Sequence, residues 1–216
     1  MKKLIALAFC SLFACNAWAS GAKKLDKVSV GIDPQTLERG AETVVTVCAG
    51  CHSLKYVKYR DLLAMGIPKE KVDSWRGGNA PSTAITSSMP PDVAIKGFGI
   101  VPPDLSLMAN ARAGRADYVY SFLLGYFVSP EGGGGNRHLQ GTKMPDVLGI
   151  AGAKTDAERA LVAEKARDVV SFLTWVADPH AQERKSLGKY VIGYLVLLSI
   201  MLLMVKRRIW SRVPSH

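Results

Sequence analysis

Cys48-Ala49-Gly50-Cys51-His52 is the stretch whose residue types and spacing can do chemistry. Two thiols three positions apart, with an imidazole directly after the second, fit the C-x-x-C-H pattern of c-type haem attachment. At a helix end, Cys48 and Cys51 stand three apart and Cys48 and His52 four apart, so all three side chains project from one face. The thiols then meet the two vinyl groups along one porphyrin edge, while the imidazole reaches the iron. Ala49 and Gly50 are small enough for the macrocycle edge to lie close to the backbone. Other uses of such a pair fit less well. A zinc site wants two more thiolates or imidazoles at similar spacing, and the sequence has none. A structural disulfide across two residues leaves His52 unexplained. An anchored thiol oxidoreductase is the competing reading without haem.

A haem held by one histidine takes a second axial ligand unless the iron is left open for reaction. A methionine thioether in that place favours Fe(II) and raises the potential. Met65, Met89, Met108 and Met144 are the candidates, with His138 beside them. In Met144-Pro145 and Met89-Pro90 the following proline stiffens the segment presenting the sulfur. Distance from the C-x-x-C-H motif puts Met144 modestly ahead, because the chain can then wrap to the other face. Spacing alone leaves Met89 open. Arg112 and Arg115 have the fork that pairs with a propionate carboxylate. Val101-Pro102-Pro103-Asp104-Leu105-Ser106 reads either as a rigid strap along a haem or as an ordinary proline-rich turn.

These residues need elements to position them. Asp33-Pro34 is a helix start, with proline at the first helical position, and residues 37–47 form the helix delivering Cys48. Arg39-Gly40 is a candidate bend in it. Val28, Val30 and Ile32 ahead of it hint at a short strand or extended arm. Tyr56, Tyr59, Leu62 and Leu63 fall at helical spacing, and 75–98, rich in Gly, Pro, Ser and Thr, reads as a surface loop. A helix from Ala116 carries Val119, Phe122, Leu123 and Tyr126 on its apolar face. Ser129 to Gly135, with four consecutive glycines, reads as a flexible loop. Thr155 with Glu158 is a capping box for a helix reaching Ala177, and that helix is expected to pack across the one bearing Cys48. Asp178-Pro179 stops it.

The ends of the chain address it. Met1-Lys2-Lys3, a short apolar run and Ala17-Trp18-Ala19 have the parts of a secretory leader, residues 1–19. Its removal leaves Cys48 and Cys51 as the remaining cysteines. Tyr190 to Val205 carries no charge and gives about 24 Å of helix at 1.5 Å per residue. Extension back to Leu187, with Lys189 snorkelling, brings this to the length of a membrane span over 187–208. Lys206-Arg207-Arg208 close it and Trp210 sits at interface depth. The leader then fixes the expected orientation, with residues 20–186 exported and 209–216 cytoplasmic. The formal charge of +10 does not mark a nucleic-acid binder. All 18 acidic residues lie within 20–186 against 21 basic ones, and the other seven basic residues flank the two apolar segments.

In order along the chain, several stretches resemble the cytochrome c1 family. They are Val47-Cys48-Ala49-Gly50-Cys51-His52-Ser53 with Tyr59-Arg60, then Pro102-Pro103-Asp104-Leu105-Ser106, then Arg112 with Asp117-Tyr118. Met144-Pro145, Asp168-Val169-Val170 with Phe172-Leu173 and Trp175, Asp178-Pro179, and Arg184-Lys185 with Gly188 follow. The resemblance implies an all-α, class I cytochrome c-like haem domain on one C-terminal transmembrane helix. It also implies a covalent haem c on Cys48 and Cys51, with His52 and Met144 as iron ligands and Met89 demoted. Pro103 would contact the haem, Arg112 bind a propionate and Tyr118 line the pocket. The implied role is electron relay in a quinol–cytochrome c oxidoreductase. The implied partners are cytochrome b, a Rieske iron–sulfur subunit and a cytochrome c acceptor, at a bacterial inner membrane with the haem domain periplasmic. An aromatic-proline pair that the family often places before the ligand methionine is absent, Leu139-Gln140 standing there.

Overall fold

Helix α1, Pro34–Thr46, delivers the C-x-x-C-H stretch in the computed structural model, which describes residues 24–212. The expected leader lies outside the described residues. The Asp33 carboxylate caps α1 by accepting from the Thr36 amide at 2.9 Å, and Pro34 takes the first helical position. Leu37, Ala41 and Val44 form its buried face. They pack on α7, Asp156–Ala177, whose Ala166, Val169, Val170 and Phe172 are buried in the same core. This crossing is the most extensive helix pairing among the described residues.

Gly40 makes the crossing possible. A Cβ there would lie 2.1 Å from the backbone oxygen of Asp168, so the two helices meet backbone to backbone. Helix α1 continues through Arg39-Gly40 without a break. Beside the contact, Arg39 Nε donates to Asp168 Oδ2 at 2.6 Å, and Asp168 is 3% exposed. At the other end of α7 the capping box is formed in both directions.

Between α1 and α7 run β1 (Leu54–Lys58), α2 (Tyr59–Ala64), α3 (Lys69–Arg76), β2 (Ala84–Ile85), α4 (Pro91–Phe98), α5 (Met108–Ala111), α6 (Arg115–Leu124), β3 (Tyr126–Val128) and β4 (Gly134–Asn136). Three expectations are corrected here. Tyr56 is not on a helix; it lies in β1, 71% exposed, while Leu54 and Val57 turn inward. Residues 75–98 hold β2, paired antiparallel to β1, and all of α4. The glycine run forms the turn and far strand of a hairpin, β3 pairing antiparallel with β4. Its reason is steric: a Cβ on Gly135 would meet the Phe127 ring at 3.2 Å, so the bare strand lets the ring lie over it.

The arm ahead of α1 is extended, not a strand. Its amides are taken by side chains: Asp26 N–H donates to Ser121 Oγ, Val28 N–H to Asp117 Oδ1 and Gly31 N–H to Ser171 Oγ. Both serines are fully buried, so the arm is laid across α6 and α7. After α7, only Asp178, Pro179 and His180 intervene before α8, Ala181–Trp210. None of the residues of α8 is buried against the rest of the chain.

Candidate haem site

Past α1 the chain tightens into a 3-10 turn over Cys48–Gly50, and the amides of Cys51 and His52 both donate to the Cys48 carbonyl, at 3.0 and 2.8 Å. Both cysteines are free thiols. Burial, with Cys51 beside it, pushes the Cys48 thiol up to about 11. Among the described residues no three His, Cys, Asp or Glu side chains converge as a metal cluster, so the zinc reading finds no ligand set.

His52 is 8% exposed, and its Nδ1 lies 2.7 Å from the Pro103 carbonyl oxygen. A carbonyl can only accept. Nδ1 therefore carries the proton, and Nε2 keeps a lone pair for a metal. Pro103 acts through its backbone, and the proline-rich stretch is a strap rather than a plain turn. It is stitched to the segment after the motif. Leu105 N–H donates to the Ser53 carbonyl at 2.8 Å, Lys55 N–H to Asp104 Oδ2 at 2.9 Å and Tyr56 N–H to Ser106 Oγ at 3.1 Å. Asp104 Oδ1 also accepts from the Ser106 amide.

Met144 is half-buried and packs against the same core cluster as Cys48, Tyr118 and Phe122. Met65 and Met108 touch that core as well, at the end of α2 and the start of α5. Met89 does not join it. Its segment is tied to the cysteine turn instead, through Ser88 N–H to the Ala49 carbonyl and the Ser87 and Ser88 hydroxyls to the Gly50 carbonyl. Met144 lines a cleft of about 290 Å³ with Tyr126, Phe127, Pro145 and Ala151. The Tyr126 hydroxyl donates to the Met144 carbonyl at 3.0 Å. Burial pushes that phenol up to about 12, which keeps it a donor.

Tyr118 stacks on Phe122 at 6.3 Å between ring centroids, and Phe122 meets Tyr126 edge-on at 5.6 Å. Arg112 follows α5, exposed, and its guanidinium forms no ion pair among the described residues. Arg115, just beyond, takes a positive φ of 50°, which is costly for a residue with a Cβ.

The structure thus brings Cys48, Cys51 and His52 together with Pro103, and sets Tyr118 and Met144 on the shared core. Arg112 joins neither group; it caps α5 and is exposed. The parts fit a haem: two free thiols, an imidazole with Nε2 available, a half-buried thioether and an unpaired cation. Sequence reasoning missed Asp104, Ser106 and Tyr126 as holders of the site. The sequence set Tyr126 on the apolar face of the helix from Ala116, but α6 ends at Leu124 with Gly125 as its cap, so Tyr126 lies in β3; its hydroxyl was the one signal that could have singled it out.

A helical domain whose first helix ends in a C-x-x-C-H turn, with a tautomer-locked histidine, is a class I cytochrome c-like domain, here followed by one long apolar helix. Residues 24–213 match the model of the Cytochrome C1 family, and the chain belongs to that family. It is 31% identical to a cytochrome c1 of Allochromatium vinosum, across 99% of this chain and 100% of that one. It is 30% identical to a cytochrome c1 of Rhodospirillum rubrum, over 84% and 83%. The likeness reaches mitochondria: a cytochrome c1 heme protein of Neurospora crassa is 31% identical over 85% of this chain and 64% of its own. Cytochrome c1 proteins are haem-bearing electron-transfer subunits of the bc1 complex.

Proposed function

We propose that this chain carries one covalent haem c on Cys48 and Cys51, ligated by His52 and Met144. It passes electrons from a Rieske-type iron–sulfur subunit to a cytochrome c, in a complex with cytochrome b. Residues 20–186 face the periplasm after loss of 1–19, residues 187–208 span the inner membrane, and 209–216 lie in the cytoplasm. The observation that carries the reading is the His52 Nδ1–H bond to the Pro103 carbonyl, which leaves Nε2 as the one available nitrogen.

Bound there, the haem supplies a one-electron couple whose potential a thioether ligand raises. The chain's residues do the rest. The strap from Pro102 to Ser106 holds the imidazole in one tautomer and one orientation. Cys48 and Cys51 tether the group so that it survives every redox turn. Arg112 offers a charge-assisted partner to a propionate. With His52 and Met144 both holding the iron, no position would stay open for a substrate, which is what a relay needs and an oxidising enzyme does not.

The test is a pair of substitutions in the purified complex. Met144→Leu keeps the bulk and removes the ligand, so the potential should drop steeply and the reduced form should bind carbon monoxide. Turnover from quinol to cytochrome c should collapse while haem stain persists on a denaturing gel. Met89→Leu should change none of these. The reverse pattern would transfer the ligand role to Met89, and an unchanged spectrum in both variants would leave His138 as the ligand or an open iron, with the enzyme reading restored.

A further inference from the structure

We propose that Tyr126 is a positioning residue for Met144: its hydroxyl holds the Met144 carbonyl and so fixes the segment presenting the thioether. The inference rests on Met144 being the iron ligand. It starts from a mismatch between task and structure. Residues 137–149 contain no helix or strand, yet a residue in their middle must hold one position through every redox turn. Irregular backbone has two soft dihedrals per residue, so its order has to come from bonds to elements that are themselves fixed.

Those bonds are present at three points. At the near end, Asn136 is 3% exposed and pairs with Tyr126 across the β3–β4 ladder. Its Nδ2 donates to the Phe122 carbonyl at 2.7 Å, while its Oδ1 accepts from the amides of His138 and Leu139. At the far end, Asp146 accepts from the Gly149 and Ala151 amides at 2.9 and 2.8 Å. In the middle, the Tyr126 hydroxyl reaches the carbonyl of Met144 itself.

Tyr126 can serve as a fixed point because its own ring cannot wander. It is 8% exposed, sits in a strand, and meets Phe122 edge-on, which in turn stacks on Tyr118. The three aromatic residues form a row from the start of α6 to the ligand loop. Met144's own amide has only a long 3.4 Å contact to Thr142 Oγ1, so the tyrosine bond is the shorter of the two that seat this residue.

The experiment uses the purified complex carrying Tyr126→Phe, which keeps the ring and removes only the hydroxyl. Covalent haem content should be unchanged. The fraction of reduced haem open to carbon monoxide should rise about two- to tenfold, the factor one net hydrogen bond is worth. The sulfur-to-iron charge-transfer absorption should weaken in step, and the potential should fall. With p-aminophenylalanine at 126, which restores a donor, all three should return toward the parent. Wild-type values in Tyr126→Phe, beside a loss of all three in Met144→Leu, overturn the positioning role and leave the ligand standing. Wild-type values in Met144→Leu remove the ligand and this inference with it. Should Tyr126→Phe fail to accumulate, the p-aminophenylalanine protein decides. A normal absorption there supports the role, and failure or a lost absorption overturns it.

Discussion

In the candidate haem site Pro103 acts through its carbonyl oxygen, which accepts from His52 Nδ1–H and leaves Nε2 as the nitrogen free to ligate. That carbonyl is itself aimed by Asp104 and Ser106, whose side chains take amides from residues 55 and 56. The imidazole, strap and first strand therefore form one hydrogen-bonded unit, and loosening any member loosens the ligand. Arg112 belongs to a different class of site residue. Its guanidinium forms no ion pair among the described residues. If it meets a propionate as proposed, such a cation acts through charge. Arg112→Ala should leave haem attached and the unfolding midpoint unmoved, because no internal bond is lost. The potential should fall by on the order of 40 mV, the one-electron equivalent of about 1 kcal/mol of charge interaction. Redox titration of the purified complex reads this directly, and an unchanged potential would make Arg112 an ordinary surface residue.

At the scale of elements, the crossing of α1 and α7 sets where the cysteine turn begins. Gly40 is its contact point. In Gly40→Ala the new methyl would stand 2.1 Å from a helix carbonyl that has no freedom to move aside. The helices must separate, at a cost of about 3 kcal/mol, and the partly exposed ion pair of Arg39 with the buried Asp168 would be stretched at the same time. Chemical denaturation should show that loss, with haem incorporation falling because Cys48 is displaced along with α1. An unchanged midpoint would mean that the crossing adapts. Both helices were legible in the sequence because their signals are local: Asp33-Pro34, the Thr155–Glu158 box and the stop at Asp178-Pro179 lie within a few residues of what they control. The identity of the motif residues was legible for the same reason. β1 was not, because its backbone is held by Asp104 and Ser106, about fifty positions away. Helical spacing at Tyr56 thus lost to bonds that no window of sequence contains. The role of Gly40 at the crossing was hidden for a related reason, since a glycine that admits a neighbouring backbone looks in sequence like one that bends its own.

The molecule as a whole is a redox domain on a stalk. α8 has 30 residues, about 45 Å of helix against a hydrocarbon core of about 30 Å. In the proposed topology the excess would leave the first turns of α8 in water; there Arg184 pairs with Asp178 across the three-residue break and His180 with Glu183. The joint between the helical domain and α8 is thus short and ion-paired rather than a long tether. At the far end Lys206 lies 5.4 Å from the Trp210 ring, a cation over an aromatic at the depth where each prefers to sit. Arg207, Arg208 and Arg212 add to the basic cluster that, in the proposed topology, stays on the cytoplasmic side. Basic residues also flank the near side, Arg184, Lys185 and Lys189, so charge asymmetry alone is a weak guide and the leader must set the direction. The topology can be read with a reporter enzyme active only outside the cytoplasm. Fused after Pro179, it should be active; fused after Arg212, it should be silent, and a reporter that works only in the cytoplasm should give the mirror pattern. Deleting residues 2–19 should silence the Pro179 fusion, because α8 alone would then have to choose its direction from flanks of similar charge. Activity after Arg212 in the full chain would place the basic cluster outside, put the cysteine turn in the cytoplasm, and remove the oxidising side of the membrane as the place where this chain meets its electron partners.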